Sequence, residues 1–522
     1  DAWYSQRERL QKQILKRMKE LGIHACLSGY SGMVPHDAHE RLGLNVADPG
    51  LWNGYRRPAF LLPTDPRFAE IAALYYKEQQ RLYGKADFYS MDPFHEGGSV
   101  KDVDLRAAGE AIMREMKRVN PAAVWVAQSW QECPYPDMIS SLHNGDMLVL
   151  DINSETQPQW GDPDSSWKRA DGFSGHDWAF CMLLNFGGNV GMYGKLQHVI
   201  DEYYKARDSR FATTLRGVGL TMEGIDNNPV MYELVTELPW RQHRFDWQEW
   251  LRGYVTARYG AAANAKVQEA WLLLARSVYG ASAKVAEQGC HESVLCARPA
   301  LDVYQVSSWS MMEEYYNPDD VIRAARLMVE ASHEMPANAN FRYDLVDVTR
   351  QAIAEQARLV YDEVVAAYRA KDRRMFAHAS QRFLDILLQQ DRLLSSMPGF
   401  MVGSWIGQAR ALGTTADERD RYEWNARVQI TTWGNREAAE RGRLREYAHK
   451  EWSGVLRDFY YPRWKAYFEA LAATFDGRPM QPIDFYAMDE KWTLQHNAYP
   501  CTAQGDAVEF AQEAFRKVFD TD

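Results

Sequence analysis

The sequence has no dense run of basic residues, and its formal net charge is −11. A chain without a basic stripe offers little to a phosphate backbone, so nucleic acid is excluded as the expected partner. No apolar run approaches the length of a membrane span, which predicts a soluble chain. Cysteine is scarce: Cys26, Cys133, Cys181, Cys290, Cys296 and Cys501 are scattered over 522 residues and form no disulfide framework. Cys26 and Cys181 lie in strand-like runs and read as buried thiols. Cys290 and Cys296 are close enough to pair or to stay free. The chain opens on Asp1-Ala2-Trp3-Tyr4 and a charged helical stretch, without the apolar centre of a signal peptide. Between Phe341 and Ser396 glycine and proline vanish, which predicts two long helices.

Aromatic residues are plentiful, with eighteen tryptophans. They suit a carbohydrate-binding cleft and equally a thick aromatic core. The length is enough for two or three domains. Residues 3–21 have helical apolar spacing through Leu10, Ile14, Met18 and Leu21. Strand-like runs follow at 23–28, 88–90, 123–128, 147–152, 178–184 and 215–220. A stretch rich in Gly and Pro, reaching about Thr64 and carrying Trp52, reads as a long loop. Asp65 before Pro66 marks the start of a helix over 66–82, and another is expected over 99–119. Alternating strands and helices with continuously apolar strands predict a parallel sheet buried on both faces, an α/β barrel of TIM type. Eight strands would close such a barrel and six are found. The expectation is that the chain begins partway round it, with further strands preceding Asp1.

From about residue 246 strand patterns give way to helical ones, at 246–259, 262–279, 318–335, 404–412, 415–432, 434–473 and 506–519. The expected division is therefore 1–245, the later part of a barrel, and 246–522, an all-α domain. No fixed repeat period is present. The charged run from Arg441 to Lys450 reads as a solvated helix face.

Two carboxylates share one setting. Glu223 follows the glycine-broken strand at 215–220 and precedes a helix opened by Asn228, as N-cap, and Pro229. Glu96 lies in Asp92-Pro93-Phe94-His95-Glu96-Gly97-Gly98, again after a strand and before a helix. In a β/α barrel the loops at the carboxyl ends of strands carry the chemistry. A lone glutamate there is more often a solvated loop residue, but a pair suits glycoside hydrolysis, one acting as acid and one as nucleophile or base. Other motifs fall away. Gly187 to Lys195 fails the phosphate-loop spacing, with Asn189 where a glycine should stand and Leu196 in place of Ser or Thr. His36 and His39 lack the His-Glu-x-x-His order of a zinc site and read as loop histidines. Asp151 and Glu155 follow a strand end and read as structural or hydrogen-bonding groups.

The motifs Asp92-Pro93-Phe94-His95-Glu96, Cys181 to Asn189 (CMLLNFGGN) and Glu223-Gly224-Ile225 resemble the α-N-acetylglucosaminidases of glycoside hydrolase family 89. So do Phe341 to Asp347 (FRYDLVD), Gly403-Ser404-Trp405 and Tyr460-Tyr461-Pro462-Arg463-Trp464 in the helical part. The resemblance runs through essentially the whole chain. It implies a retaining, exo-acting hydrolase that removes terminal α-linked N-acetylglucosamine from glycans without metal or organic cofactor. Glu96 would be the general acid/base and Glu223 the nucleophile, with carboxyls about 5–5.5 Å apart as retention requires. Trp52, His95, Trp130, Leu183 and Phe186 would line the sugar pocket. Animal members carry Asn where this chain has His95, and the human member has His at the position of Val190. A secreted or periplasmic location is the matching expectation. The competing reading is a carbohydrate-binding or scaffold protein derived from a glycosidase; both glutamates are intact, which favours the enzyme.

Overall fold

The computed structural model describes residues 2–94, 96–165, 169–224, 226–260, 264–283, 292–307, 315–335 and 337–520. Two compact units make up the chain. The first holds 1–183, 200–221 and 235–241; the second holds 184–199, 222–234 and 242–522.

In the first unit, six parallel strands lie side by side in chain order: β1 (Cys26–Ser28), β2 (Phe88–Ser90), β3 (Val124–Ser129), β4 (Met147–Asp151), β5 (Asp177–Met182) and β6 (Leu215–Leu220). The register runs Leu27–Tyr89, Tyr89–Trp125, Trp125–Met147, Trp178–Val149 and Phe180–Val218. All six are strands expected from sequence. Their central members bury Trp125, Val149, Trp178 and Phe180 almost completely, as a sheet covered on both faces requires. The edge strands β1 and β6 are less covered.

Helices cross between β1 and β2 (Pro66–Tyr83), β2 and β3 (Leu105–Val119), and β5 and β6 (Leu196–Arg207). The first is capped as expected, the Asp65 carboxylate accepting the Arg67 amide at 2.8 Å. The second begins later than expected because Asp104 supplies the cap, accepting from Ala107 N at 3.0 Å. It turns Ala108, Ile112 and Met116 inward. The helix Ala2–Glu20 forms but buries no residue, so its apolar stripe stays exposed.

Two connections depart from the sequence reading. The stretch expected to be a long loop holds a short helix, Ala38–Leu42, a three-stranded antiparallel sheet and the hairpin Leu51–Trp52/Tyr55–Arg56. Strands of two or three residues carry too little alternation to register as a pattern. Between β4 and β5 no helix occurs among the described residues. That segment is pinned instead by the buried Asp151, whose Oδ2 accepts the amides of Gln159 (2.9 Å) and Trp160 (3.1 Å).

Burial pushes the Asp151 carboxyl up to about 7. Its Oδ1 is buried with no hydrogen-bond partner among the described residues, so the ionised form is poorly solvated. The unfolded group titrates near 3.9. The folded state therefore holds this proton more tightly. The resulting stabilisation is complete below about pH 4 and is lost as pH rises through about 7. Asp151→Asn, neutral throughout, should flatten that part of the curve. Urea midpoints at pH 5 and pH 8 measure it: the difference should be smaller in the variant, and an unchanged difference would show that Asp151 does not titrate there.

The second unit is helical throughout its larger elements. Its centre is the pair Ala339–Arg369 and Arg373–Leu394, meeting the expectation from the stretch without Gly or Pro. Trp247–Tyr259, Ala265–Arg276, Pro318–Ala331, Val402–Ala411, Ala416–Gln429 and Ala507–Phe519 also match expected helices. Beyond residue 260 the described residues form isolated bridges but no strand. The run expected to be helical over 434–473 is corrected: short π-helical turns at Glu437–Arg441 and Leu456–Tyr460 flank an irregular segment, and the α-helix proper is Tyr461–Thr474. The solvated face expected over 441–450 is corrected with it. Glu446 is 1% exposed and ion-paired with Arg463 at 2.5 Å, and His449 and Lys450 are buried. Charge spacing resembles a wet helix face whether or not the charges have buried partners.

Of the two cysteines that could pair, Cys290 lies outside the described residues and Cys296 is buried.

Candidate active site

Glu96 sits in the turn after β2, and β3 holds that turn in place. The Trp125 indole donates to the Met91 carbonyl at 2.6 Å, and the Gln128 amide donates to Asp92 Oδ1 at 2.8 Å. Burial raises the Asp92 carboxyl to about 6. Phe94 takes a left-handed backbone (φ 58°), and its ring packs on Phe60 at 4.6 Å. These anchors bring the chain out to Glu96, whose side chain is exposed. Its Oε1 accepts from the Trp130 indole at 3.2 Å and lies 3.4 Å from the Gln131 amide nitrogen. Both donors are neutral.

Arg57 ties the neighbouring hairpin to the same turn, donating to the Glu96 carbonyl and to Leu51 O. The hairpin carries Trp52, 38% exposed. The structure thus brings Glu96 and Trp130 into direct contact and connects Trp52 to them through Arg57. Leu183, just past β5, is buried, and its amide donates to Glu155 Oε1 at 2.9 Å. Glu155 accordingly braces a strand end, as Asp151 does. His95 lies outside the described residues.

Glu223 and Phe186 belong to the second unit. Glu223 is exposed, yet one of its oxygens is tightly held: Oε2 accepts the Gly187 amide at 2.6 Å and the Tyr447 hydroxyl at 2.7 Å. Two aimed donors on one oxygen hold the carboxylate in a single orientation. The two loops around it are joined by side-chain amides. Asn185 Nδ2 donates to Gly224 O (3.2 Å) and Asn227 Oδ1 (3.1 Å), and Asn227 Nδ2 donates to Asn189 O at 2.5 Å. Phe186 is buried at the start of the glycine turn. Asn228 precedes the helix Pro229–Glu237 with a left-handed backbone (φ 48°). Its Oδ1 accepts from the Tyr193 amide (3.0 Å) and the Tyr279 hydroxyl (3.2 Å), so the side chain expected to cap this helix anchors the 187–195 loop.

Sequence reasoning missed Arg57, Gln131, Tyr447 and Lys450. Tyr447 stands 224 positions from Glu223, inside the run misread as a solvated face. Only the interruption of that run, Tyr-Ala-His-Lys among charges, offered a signal. Gly187 (φ 64°) is placed so that a Cβ would strike the Tyr447 carbonyl and come within 2.8 Å of Ala448 Cα. Gly187→Ala should therefore cost about 1–2 kcal/mol for the left-handed backbone alone, and more for the clash. Expected outcomes are a lower thermal midpoint and a displaced 447–450 segment in a crystal structure of the variant; an unchanged midpoint would refute the close packing.

His39 Nδ1 lies 2.8 Å from Leu44 O, a loop contact rather than a ligand pair with His36. Asp420, Glu423 and His496 form the one group of possible metal ligands among the described residues. Arg410 and Arg427 already pair with Glu423 there, at 2.5 and 2.7 Å. No helix among the described residues is long and apolar enough to cross a membrane.

A parallel α/β barrel sheet with carboxylates in the loops after its strands, joined to a helical region, is an architecture of glycoside hydrolases. Comparison with known proteins narrows the class. The model of the α-N-acetylglucosaminidase (NAGLU) tim-barrel domain matches residues 1–242, and that of the NAGLU C-terminal domain matches 250–517. Human α-N-acetylglucosaminidase is 32% identical over 542 aligned residues, covering 99% of this chain and 70% of that protein. The family 89 glycoside hydrolase from Clostridium perfringens, solved in complex with PUGNAc, superposes with a TM-score of 0.91 at 32% identity. The match takes in 98% of this chain and 58% of the bacterial one, so the chain spans under two thirds of that relative. A variant of the same enzyme, with two glutamates changed to glutamine and bound to its substrate GlcNAc-α-1,4-galactose, also gives 0.91 at 31% identity, over 99% and 59% of the two chains. The chain belongs to the α-N-acetylglucosaminidase family, glycoside hydrolase family 89.

Proposed function

We propose that the protein is a retaining, exo-acting α-N-acetylglucosaminidase, with Glu223 as nucleophile and Glu96 as general acid/base. The observation that carries the reading is the unequal treatment of the two carboxylates. Glu223 is clamped through one oxygen by the Gly187 amide and the Tyr447 hydroxyl. Glu96 meets the neutral side chains of Trp130 and Gln131. A fixed anion suits attack at an anomeric carbon; a carboxyl in a neutral, partly aromatic setting suits proton transfer to the leaving oxygen. The bacterial relative solved with its substrate carries two glutamates changed to glutamine, which supports a two-glutamate mechanism.

In the first step Glu96 protonates the glycosidic oxygen while Glu223 forms the covalent glycosyl-enzyme. In the second, Glu96 as carboxylate deprotonates the water that releases N-acetylglucosamine with its α configuration kept. Trp52, His95, Trp130, Leu183 and Phe186 are the proposed sugar-contacting residues, and glycans ending in α-linked N-acetylglucosamine the substrates. A secreted or periplasmic location fits such substrates. The test is hydrolysis of 4-nitrophenyl α-N-acetylglucosaminide with the first-formed anomer read by NMR. Release of α-N-acetylglucosamine is expected; the β-anomer would overturn retention, and no hydrolysis would overturn the activity.

A further inference from the structure

We propose that Lys450 is a positioning residue for the nucleophile: its ammonium fixes the Gly187–Gly188 turn so that the Gly187 N–H meets the Glu223 carboxylate. The inference rests on the reading of Glu223 as the nucleophile.

Gly187 and Gly188 are two successive left-handed residues, at φ 64° and 62°. In a helical turn of either hand, successive carbonyls point one way along the axis and the N–H groups the other. Here both ends are occupied. On the carbonyl side the Lys450 ammonium donates to Gly187 O at 2.7 Å and also to Gly188 O. On the amide side Gly187 N donates to Glu223 Oε2 at 2.6 Å. Glycine has no side chain to hold its backbone and adopts many conformations of similar energy. The peptide that carries the Gly187 N–H is held at its Phe186 carbonyl by the Asn189 amide at 3.3 Å, and the two peptides that follow are gripped by one charged donor, so Lys450 fixes the turn on which that N–H is carried. Charge-assisted hydrogen bonds are the stronger kind.

Lys450 is 8% exposed, with its Nζ 5.7 Å over the Trp452 ring. A buried ammonium is costly to desolvate, whereas neutral donors would satisfy two carbonyls at less cost. The same segment reaches Glu223 directly through Tyr447, three positions earlier, whose hydroxyl meets the same Oε2. Segment 447–450 thus governs that oxygen twice, once by contact and once through the glycine turn.

The test compares wild type, Lys450→Met and Lys450→Arg in the full chain, by steady-state kinetics on 4-nitrophenyl α-N-acetylglucosaminide, thermal midpoints and a crystal structure of the Met variant. Lys450→Met should lower kcat about 100-fold, the scale of removing one preorganised donor, with KM changed less than about threefold. In its crystal structure the Gly187 N to Glu223 Oε2 distance should exceed hydrogen-bond range. Lys450→Arg, which offers charged donors to the same carbonyls, should recover at least about a tenth of the wild-type kcat. A Met variant within about threefold of wild type in kcat overturns the proposal. So does a loss that tracks the unfolded fraction and that Arg does not rescue, or an intact Gly187–Glu223 hydrogen bond in the crystal. Wild-type protein inactive on the aryl glycoside would overturn the function itself, and this role with it; the wild-type arm tells the two failures apart.

Discussion

Glu223→Ala should abolish turnover of α-N-acetylglucosaminides, with a residual rate on the order of 10⁻⁴ of wild type or less. In the proposed mechanism the side chain forms the covalent bond to the sugar, so its removal closes the two-step path rather than slowing one step of it. The loss should be the same for good and poor leaving groups, because neither can depart to a missing nucleophile. Azide should partly restore cleavage by occupying the vacated space and attacking from the same face, giving a β-glycosyl azide. The measurement is kcat on aryl glycosides of graded leaving-group pKa, with product stereochemistry by NMR. Near-normal turnover would remove Glu223 from the nucleophile's role. An α-azide from this variant would show that attack comes from the other face.

Glu96→Ala should behave differently, and the difference identifies the acid/base. Substrates with poor leaving groups should lose about 10²–10⁴-fold, since they need a proton to depart. An activated aryl glycoside needs none, so its first step should survive. Hydrolysis of the glycosyl-enzyme then lacks its base and the intermediate should accumulate, visible as a burst of aryl alcohol and a mass increase on the protein. Azide, which attacks without giving up a proton, should restore steady turnover and yield the α-azide. Equal losses on all substrates, with no burst and no azide effect, would refute the acid/base assignment. Trp130→Phe, which removes the indole donor on Glu96 Oε1, provides a milder companion variant on the same carboxylate.

Much of the fold was legible because its signals are local. Each of the six parallel strands is a short apolar run bounded by turn residues, and the helix cap at Asp65 declares itself within three positions. The placement of Glu96 and Glu223 after strand ends follows from the same reading. The stretch from 29 to 64 was not legible, because strands of two residues have no period and are held by partners across the sheet rather than by their own spacing. The error over 434–473 has another cause. Helical spacing and frequent charge predict a helix, but the backbone departs from it between Gly442 and Val455, where Glu446 turns inward to Arg463 and Lys450 to the Gly187 turn.

By itself the sequence determined that this is a barrel-type sheet followed by a helical region, that two glutamates follow strand ends, and which family the chain resembles. Those properties reside in runs of a few to a few dozen residues, where hydrophobic period, caps and motif order act without reference to distant chain. Only the tertiary structure decided how the glutamates are held. Glu223 receives a hydroxyl from a residue 224 positions away, and the turn that carries its amide donor is gripped by a lysine whose carbonyl partners lie 263 and 262 positions back. Contacts of that range leave no period in the sequence. The lysine's contacts arise because a buried polar group must find a partner wherever folding brings one, the tyrosine's because it lies on the same segment, and local spacing encodes neither partner.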